Sequence, residues 1–261
     1  MPCFKAAASG INHFCVTMNL QLTKKQATGG RLLLCFDADD TLWDNQTYYD
    51  EVEEKWMEVM QPYGSREYLH DELFKIETKN MPTMGYGTKA YCLSLVETAL
   101  KLSGHTITAT DLQRIYDAGT QLLHMPATPF EGVAETLDQL SQHYTLICLT
   151  KGDLLDQQNK LRRSGLKPYF NHIEIVAEKT VGIYANLCHR YSTTPSHFVM
   201  TGNSFKSDID PVLQIGGYGI HIPFKRMWAY EKTEEYTHDK LFKINSFQEI
   251  PQIIDRIREK A

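Results

Sequence analysis

The feature that most constrains this chain is a short apolar run that ends in acid. Leu32-Leu33-Leu34-Cys35-Phe36 has no helical period, and it stops abruptly at Asp37-Ala38-Asp39-Asp40-Thr41. A continuous apolar run of this length suits a strand buried on both faces, as in a parallel sheet covered by helices. In such sheets the chemistry collects at the carboxyl ends of the strands, where three acids here follow at once.

The rest of the chain repeats the alternation. Buried strands are predicted at Thr145–Thr150, Ile173–Val176, Phe198–Thr201 and Gly219–Ile222, with an edge strand at Leu241–Ile244. Helices are predicted at Phe130–Gln142, Leu154–Ser164, Tyr184–Tyr191, Pro211–Ile215 and Phe247–Glu259. Strands alternating with helices imply an α/β fold, a Rossmann-like, doubly wound parallel sheet. Residues 46–126 break the rhythm. They show helical spacing (Val52/Trp56/Val59/Met60 and Leu93/Val96/Leu100) and no buried-strand run, so they are predicted to form a helical insert. Lys79 to Gly87, with Pro82, Gly85 and Gly87, is predicted as a loop within it. The core is then 31–45 with 127–261, and residues 1–30 are expected to be a mobile extension ahead of the fold.

Composition narrows the function classes. Of 261 residues, 42% are apolar and 23% charged, enough for a sizeable core. The balance of 27 basic against 32 acidic residues gives a net charge of −5, so no nucleic-acid partner is expected. No stretch is long and apolar enough to span a membrane, and Ile11–Leu20 is too polar for a signal segment, so no membrane partner is expected. The six cysteines (Cys3, Cys15, Cys35, Cys92, Cys148 and Cys188) are scattered without metal-ligand spacing. They read as free thiols of a cytoplasmic protein.

Four polar segments fall at or after strand ends: Asp37-Ala38-Asp39-Asp40-Thr41, Leu149-Thr150-Lys151-Gly152-Asp153, Glu178-Lys179-Thr180 and Gly202-Asn203-Ser204-Phe205-Lys206-Ser207-Asp208. In this order they resemble the motifs of the haloacid dehalogenase-like (HAD) superfamily, its phosphatase branch in particular, over residues 31–261. The insertion between the first and second motifs is similar in kind to the family's helical cap. The resemblance implies a Mg²⁺-dependent hydrolase acting on a small phosphorylated metabolite.

The roles follow from the chemistry. Asp37 is the expected nucleophile, forming an aspartyl-phosphate. Asp39, two residues on, shares its side of an extended chain and is the expected general acid/base, whereas Asp40 points away. Asp37, the backbone carbonyl of Asp39, Asp208 and Asn203 are the expected oxygen ligands of Mg²⁺. Thr150, Lys151 and Lys179 are expected to bind phosphate, with Thr150 and Lys179 serving catalysis. Asn203 stands where the family usually has an acid, which lowers the expected metal affinity. Trp43, Lys79, Tyr86 and Lys89 are the candidates for substrate contact, Trp43 by stacking or as part of the hinge. A 2-haloacid dehalogenase, a phosphoglucomutase-like transferase and a non-catalytic binding module remain as alternatives. The oligomeric state is not legible.

Overall fold

In the computed structural model the described residues are 16–19 (backbone only), 31–226 and 228–260. Their centre is a seven-stranded sheet of order β1-β4-β3-β2-β5-β6-β7. The strands are β1 (Val16–Asn19), β2 (Leu33–Phe36), β3 (Thr145–Lys151), β4 (His172–Val176), β5 (Phe198–Gly202), β6 (Tyr218–His221) and β7 (Leu241–Lys243). β2 to β7 are mutually parallel, as the apolar runs predict. β1 adds antiparallel to the outer edge of β4, with Val16 opposite Ile175. These four residues therefore belong to the sheet, a correction to the extension expected over 1–30, the remainder of which lies outside the described residues.

The first parallel strand sits in the middle. From β2 the chain builds β3 and β4 on one side, then crosses to build β5, β6 and β7 on the other. β2 thus ends at the switch point of the sheet, where the connections to its two neighbours diverge and leave a crevice. Alternation along β2 supplies both faces. Leu34 and Phe36 pack with Leu137 and Leu140 of α5 (Val133–Ser141) and with Ile253 and Ile257 of α9 (Ile250–Arg258). Leu33 and Cys35 pack with Ile183, Tyr184 and Leu187 of α7 (Val181–Arg190) and with Val212 of α8 (Asp210–Gln214). α6 (Leu154–Arg163) follows β3 on the first face.

Four helices intervene between β2 and α5: α1 (Gln46–Met60), α2 (Arg66–Met84), α3 (Thr88–Leu102) and α4 (Ala109–Gln121). They enclose their own apolar cluster, centred on Trp56, Met60, Leu69 and Leu95. The two chain segments that enter and leave this bundle touch each other. Phe130 donates its backbone N–H to Leu42 O at 2.9 Å, and Trp43 is bridged to Pro129. Lys79–Met84, predicted as loop, continues α2. Pro82 lies in the last turn, where it withholds one N–H from the ladder, and the helix stops three residues on at Gly85 (φ 74°), whose N–H donates to Met81 O.

Phe36 is the last strand residue before Asp37 and meets the rings of Phe170 and Phe247 at 6.2 and 5.9 Å. Phe36→Ala is expected to lower the unfolding free energy by about 3–5 kcal/mol, and a leucine there by much less. Urea unfolding of the two variants measures both.

Candidate active site

β2 ends at Phe36, yet the Asp37 amide extends its ladder by donating to Thr201 O of β5 at 2.9 Å. This fixes the first acid at the sheet edge. Asp40 then adopts φ +61°, a left-handed turn that Asp tolerates better than most side chains. The turn carries the Asp40 carboxylate to the start of the insertion, where Oδ1 accepts the N–H groups of Asn45 and Gln46 at 2.8 Å each. Asp40 thus caps α1. Its burial pushes its carboxyl up to about 7.

Asp37 is buried, and its two oxygens have separate partners. Lys179 Nζ donates to Oδ1, and the Thr41 hydroxyl to Oδ2 at 2.9 Å. Lys179 also reaches Asp208 Oδ1 at 2.7 Å. This lysine, 4% exposed, lies between two buried carboxylates and is held strongly protonated by them. Asp208 is pushed up to about 7 by burial and by the nearby Asp37, against the pull of Lys179. The local fold that presents it is a π-helical turn, Phe205–Ile209. Ser204 caps that turn, and its N–H donates to Asp208 Oδ2 at 3.0 Å. Gly202 is required here, because a Cβ would meet Asp208 Oδ2 at 2.2 Å.

Asn203 joins the group through Thr41. The Thr41 hydroxyl lies 3.1 Å from Asn203 Oδ1 and accepts the Asn203 N–H at 3.0 Å. Asp37, Asn203 and Asp208 therefore bring side-chain oxygens to one cavity, linked through Thr41 and Lys179, and oxygen is the donor a hard divalent cation takes. Two buried carboxylates share one lysine, so a cation there would relieve their repulsion. Mg²⁺ fits this donor set on chemistry. Among the described residues no cluster of three or more His, Cys, Asp or Glu side chains is arranged to hold a metal ion. The amide at 203 leaves only two carboxylates in this group.

Asp39 occupies the same cavity but has other company. Trp43 Nε1 donates to Oδ1 at 2.8 Å, Gln157 Nε2 to Oδ2 at 2.9 Å, and Lys160 Nζ to both oxygens at 2.9 and 2.7 Å. Gln157 Nε2 also donates to the Thr150 hydroxyl at 2.8 Å. Asp153 and Thr180 cap α6 and α7, fixing the loops that carry Lys151 and Lys179.

The cavity holds about 170 Å³. Asp37, Asp39, Thr150, Lys151, Lys179, Asn203 and Asp208 all line it, as does Tyr86. Tyr86 comes from the Gly85–Gly87 loop, donates to Glu178 and meets Trp228 edge to face, with ring centroids 6.0 Å apart. Gly87, at φ +107°, lies against the backbone of Asp153.

Four expected contacts are corrected. Lys151 is neutralised by Glu231 (2.5 Å) and Glu178 (3.4 Å) and bonds Ser207 Oγ at 3.0 Å, so it is not free for a phosphate oxygen. Trp43 is 1% exposed and offers no face to stack on; it lies in the neck of the insertion beneath Asp39, the place the hinge alternative gave it. Lys79 pairs with Glu97 on the surface, and Lys89 with Asp153, and neither lines the cavity.

Lys160, Gln157 and Glu231 escaped the sequence reading. Lys160 sits in the last turn of α6, where a basic residue ordinarily answers the helix dipole. Glu231 ends a short 3₁₀ turn, Ala229–Glu231, whose sequence carries no pattern. The i, i+3 spacing of Gln157 and Lys160, on the face of α6 turned toward the sheet, is the one signal that was available.

Residues 32–216 match the family model of haloacid dehalogenase-like hydrolases. The chain belongs to this family of hydrolases. A search of curated proteins finds no match. Among solved structures, a haloacid dehalogenase-like family hydrolase from Xanthomonas campestris is 32% identical, with TM-score 0.80, over 88% of this chain and 93% of that one. The magnesium-bound YfnB of Bacillus subtilis is 17% identical, with TM-score 0.59, over 86% of this chain and 99% of that one. A 2-haloacid dehalogenase from Pseudomonas syringae is 20% identical, with TM-score 0.60, over 87% and 99%. The last two likenesses are of fold. In this HAD-like hydrolase no described helix is long and apolar enough to cross a membrane. The cysteines Cys35, Cys92, Cys148 and Cys188 are free, while Cys3 and Cys15 lie outside the described residues.

On the far wall of the cavity, burial and the neighbouring Glu53 push the Glu77 carboxyl up to about 7. Between about pH 4.5 and 7 the folded chain keeps a proton on Glu77 that the unfolded chain has released. Glu77 therefore costs stability as pH rises through that window. The stability of Glu77→Gln relative to wild type is expected to grow from pH 4.5 to 7 and level off above, read from chemical denaturation at each pH.

Proposed function

We propose that this HAD-like hydrolase is a Mg²⁺-dependent phosphomonoesterase acting on a small phosphorylated metabolite. The observation that carries the reading is the buried Asp37–Lys179–Asp208 group, with a second carboxylate, Asp39, in the same cavity. A dehalogenase needs the nucleophile but no second acid. Its carboxylate substrate would also meet a lining in which Lys151, Lys160 and Lys179 are each already ion-paired. The magnesium reported for YfnB adds support from a protein of similar fold.

Asp37 attacks phosphorus, the ester P–O bond breaks, and the departing alkoxide takes the proton of Asp39. Asp39 then accepts a proton from the water that attacks the aspartyl-phosphate, releasing phosphate and restoring Asp37. Lys179 fixes the orientation of Asp37 and offsets the negative charge beside it. The Thr150 hydroxyl accepts from Gln157 and donates only a long 3.4 Å bond to the Lys151 carbonyl, a proton that a phosphoryl oxygen would take over. To act as an acid, Asp39 first exchanges its Lys160 pairing for a proton. A bound Mg²⁺, held by Asp37, Asp208, Asn203 and the Asp39 carbonyl, would supply the charge neutralisation that lets a phosphate dianion enter.

Asp37→Asn is expected to lower aryl phosphate hydrolysis at least 10³-fold, and chelation of Mg²⁺ to abolish it in wild type. Phosphate release on addition of EDTA, then of excess Mg²⁺, checks both; undiminished turnover by Asp37→Asn refutes the nucleophile. Asn203→Asp adds a third carboxylate and is expected to tighten Mg²⁺ several-fold in activity titrations. Equal affinities would mean that the amide costs nothing.

A further inference from the structure

The cavity has two unlike walls. The sheet side contributes every lysine in its described lining: Lys151 at the end of β3, Lys179 after β4, and Lys160 from α6. The opposite wall, from α1 to α3, contributes no lysine or arginine among the described residues, but it does contribute Glu53 and Glu77. Glu53 is hydrogen-bonded to His70 at 2.6 Å, and Trp228 hydrogen-bonds Glu77. Between them stand Tyr49 and Tyr91, ring centroids 5.0 Å apart. Glu53, and Glu77 once a cation draws off its proton, lie with two tyrosine rings on this wall, a surface that favours a cation and repels an anion.

A second observation is independent of these acids. Asp156, 4% exposed, also lines the cavity. Its Oδ2 accepts the Thr88 hydroxyl at 2.9 Å, but its Oδ1 has no donor. Neighbouring Gln157, equally buried, turns its N–H to Asp39 and Thr150 and leaves Oε1 without a donor. Buried oxygens without partners are costly and rare. Both belong to side chains that line the cavity, and a turn of either side chain would offer its free oxygen to a ligand that brings N–H groups. The volume sets the length, since 170 Å³ is well below the roughly 300–1,000 Å³ of sites for drug-sized ligands. A phosphoryl group with a tail of a few atoms suits it.

The geometry points to a substrate whose leaving alcohol carries a protonated amine, a short aminoalkyl phosphomonoester whose ammonium faces Glu53, Glu77 and the tyrosines. This rests on the phosphomonoesterase reading above and names its substrate class. Asp37 and Asp39 handle the phosphoryl end unchanged, and the released product is an amino alcohol. The same wall disfavours tails that end in a carboxylate or a second phosphate.

The test compares kcat/KM, with Mg²⁺, for 2-aminoethyl and 3-aminopropyl phosphate against propyl phosphate, glycerol phosphate and carboxymethyl phosphate. The amine esters are expected to exceed the neutral propyl ester at least tenfold and the carboxylate ester at least a hundredfold. Glu77→Gln should bring the amine-to-propyl ratio close to one, a ratio that is independent of how much protein is folded. An amine-to-propyl ratio of one or below in wild type overturns the proposal, as does a preference for the glycerol ester, which would mark the wall as a polyol site. The same esters are titrated calorimetrically into Asp37→Asn with Mg²⁺. If wild type hydrolyses none of them while Asp37→Asn binds the amines tightest, the phosphatase reading fails and the tail recognition stands. Binding that ignores the tail, or no binding at all, refutes the recognition.

Discussion

The site depends on one ion triplet closed off from water. Lys179 stands between Asp37 and Asp208 and joins three segments that are far apart in sequence: the ends of β2, β4 and β5. A lysine this deep is tolerable only because both carboxylates hold its charge, and the carboxylates are tolerable only because of the lysine. The fold supplies this meeting point because the sheet is wound outward in both directions from β2. The last residue of β2 packs under Phe170 and Phe247, so the aspartate that follows has a fixed origin.

A second set of contacts governs the other carboxylate. Asp39 is gripped from the α6 side by Lys160 and Gln157 and from below by Trp43. Asp37 is tied to the sheet, whereas Asp39 is tied to a helix and to the neck of the insertion. The two acids lie two residues apart yet belong to different mechanical neighbourhoods. Asp40 strengthens the link by capping α1 from the same turn. Proton delivery and placement of the helical insertion therefore share side chains.

Much of the fold was legible in the sequence because buried parallel strands leave an unmistakable trace: short apolar runs ending in polar residues. The strand-end positions of Asp37, Thr150, Lys179 and Asp208 followed from that trace and from the order of the motifs. Other parts were not legible, for identifiable reasons. Pro82 reads as a loop signal but sits in the last turn of a helix, where its missing N–H matters least to the turns before it. Lys151 looked like a phosphate ligand because nothing in the sequence brings Glu231, eighty residues later, to its ammonium. Lys79 and Lys89 were attractive as charges near glycines, but the loop carries Tyr86 inward and leaves both lysines to surface partners. Lys160 was hidden by its place among the ordinary basic residues that end a helix.

The two strands of the neck bear on how such an architecture can be varied. Leu42 and Phe130 are separated by 87 intervening residues, yet they meet through a single backbone hydrogen bond. Seen from the sheet, the whole bundle of four helices occupies the place of a tight turn between β2 and α5. A graft that replaced it with a few residues, or with a bundle of another shape, would need no rerouting of the strands and would leave Asp37, Lys179 and Asp208 on their own supports. The wall that faces the leaving group can thus be exchanged as a cassette, while the ion triplet stays where it is.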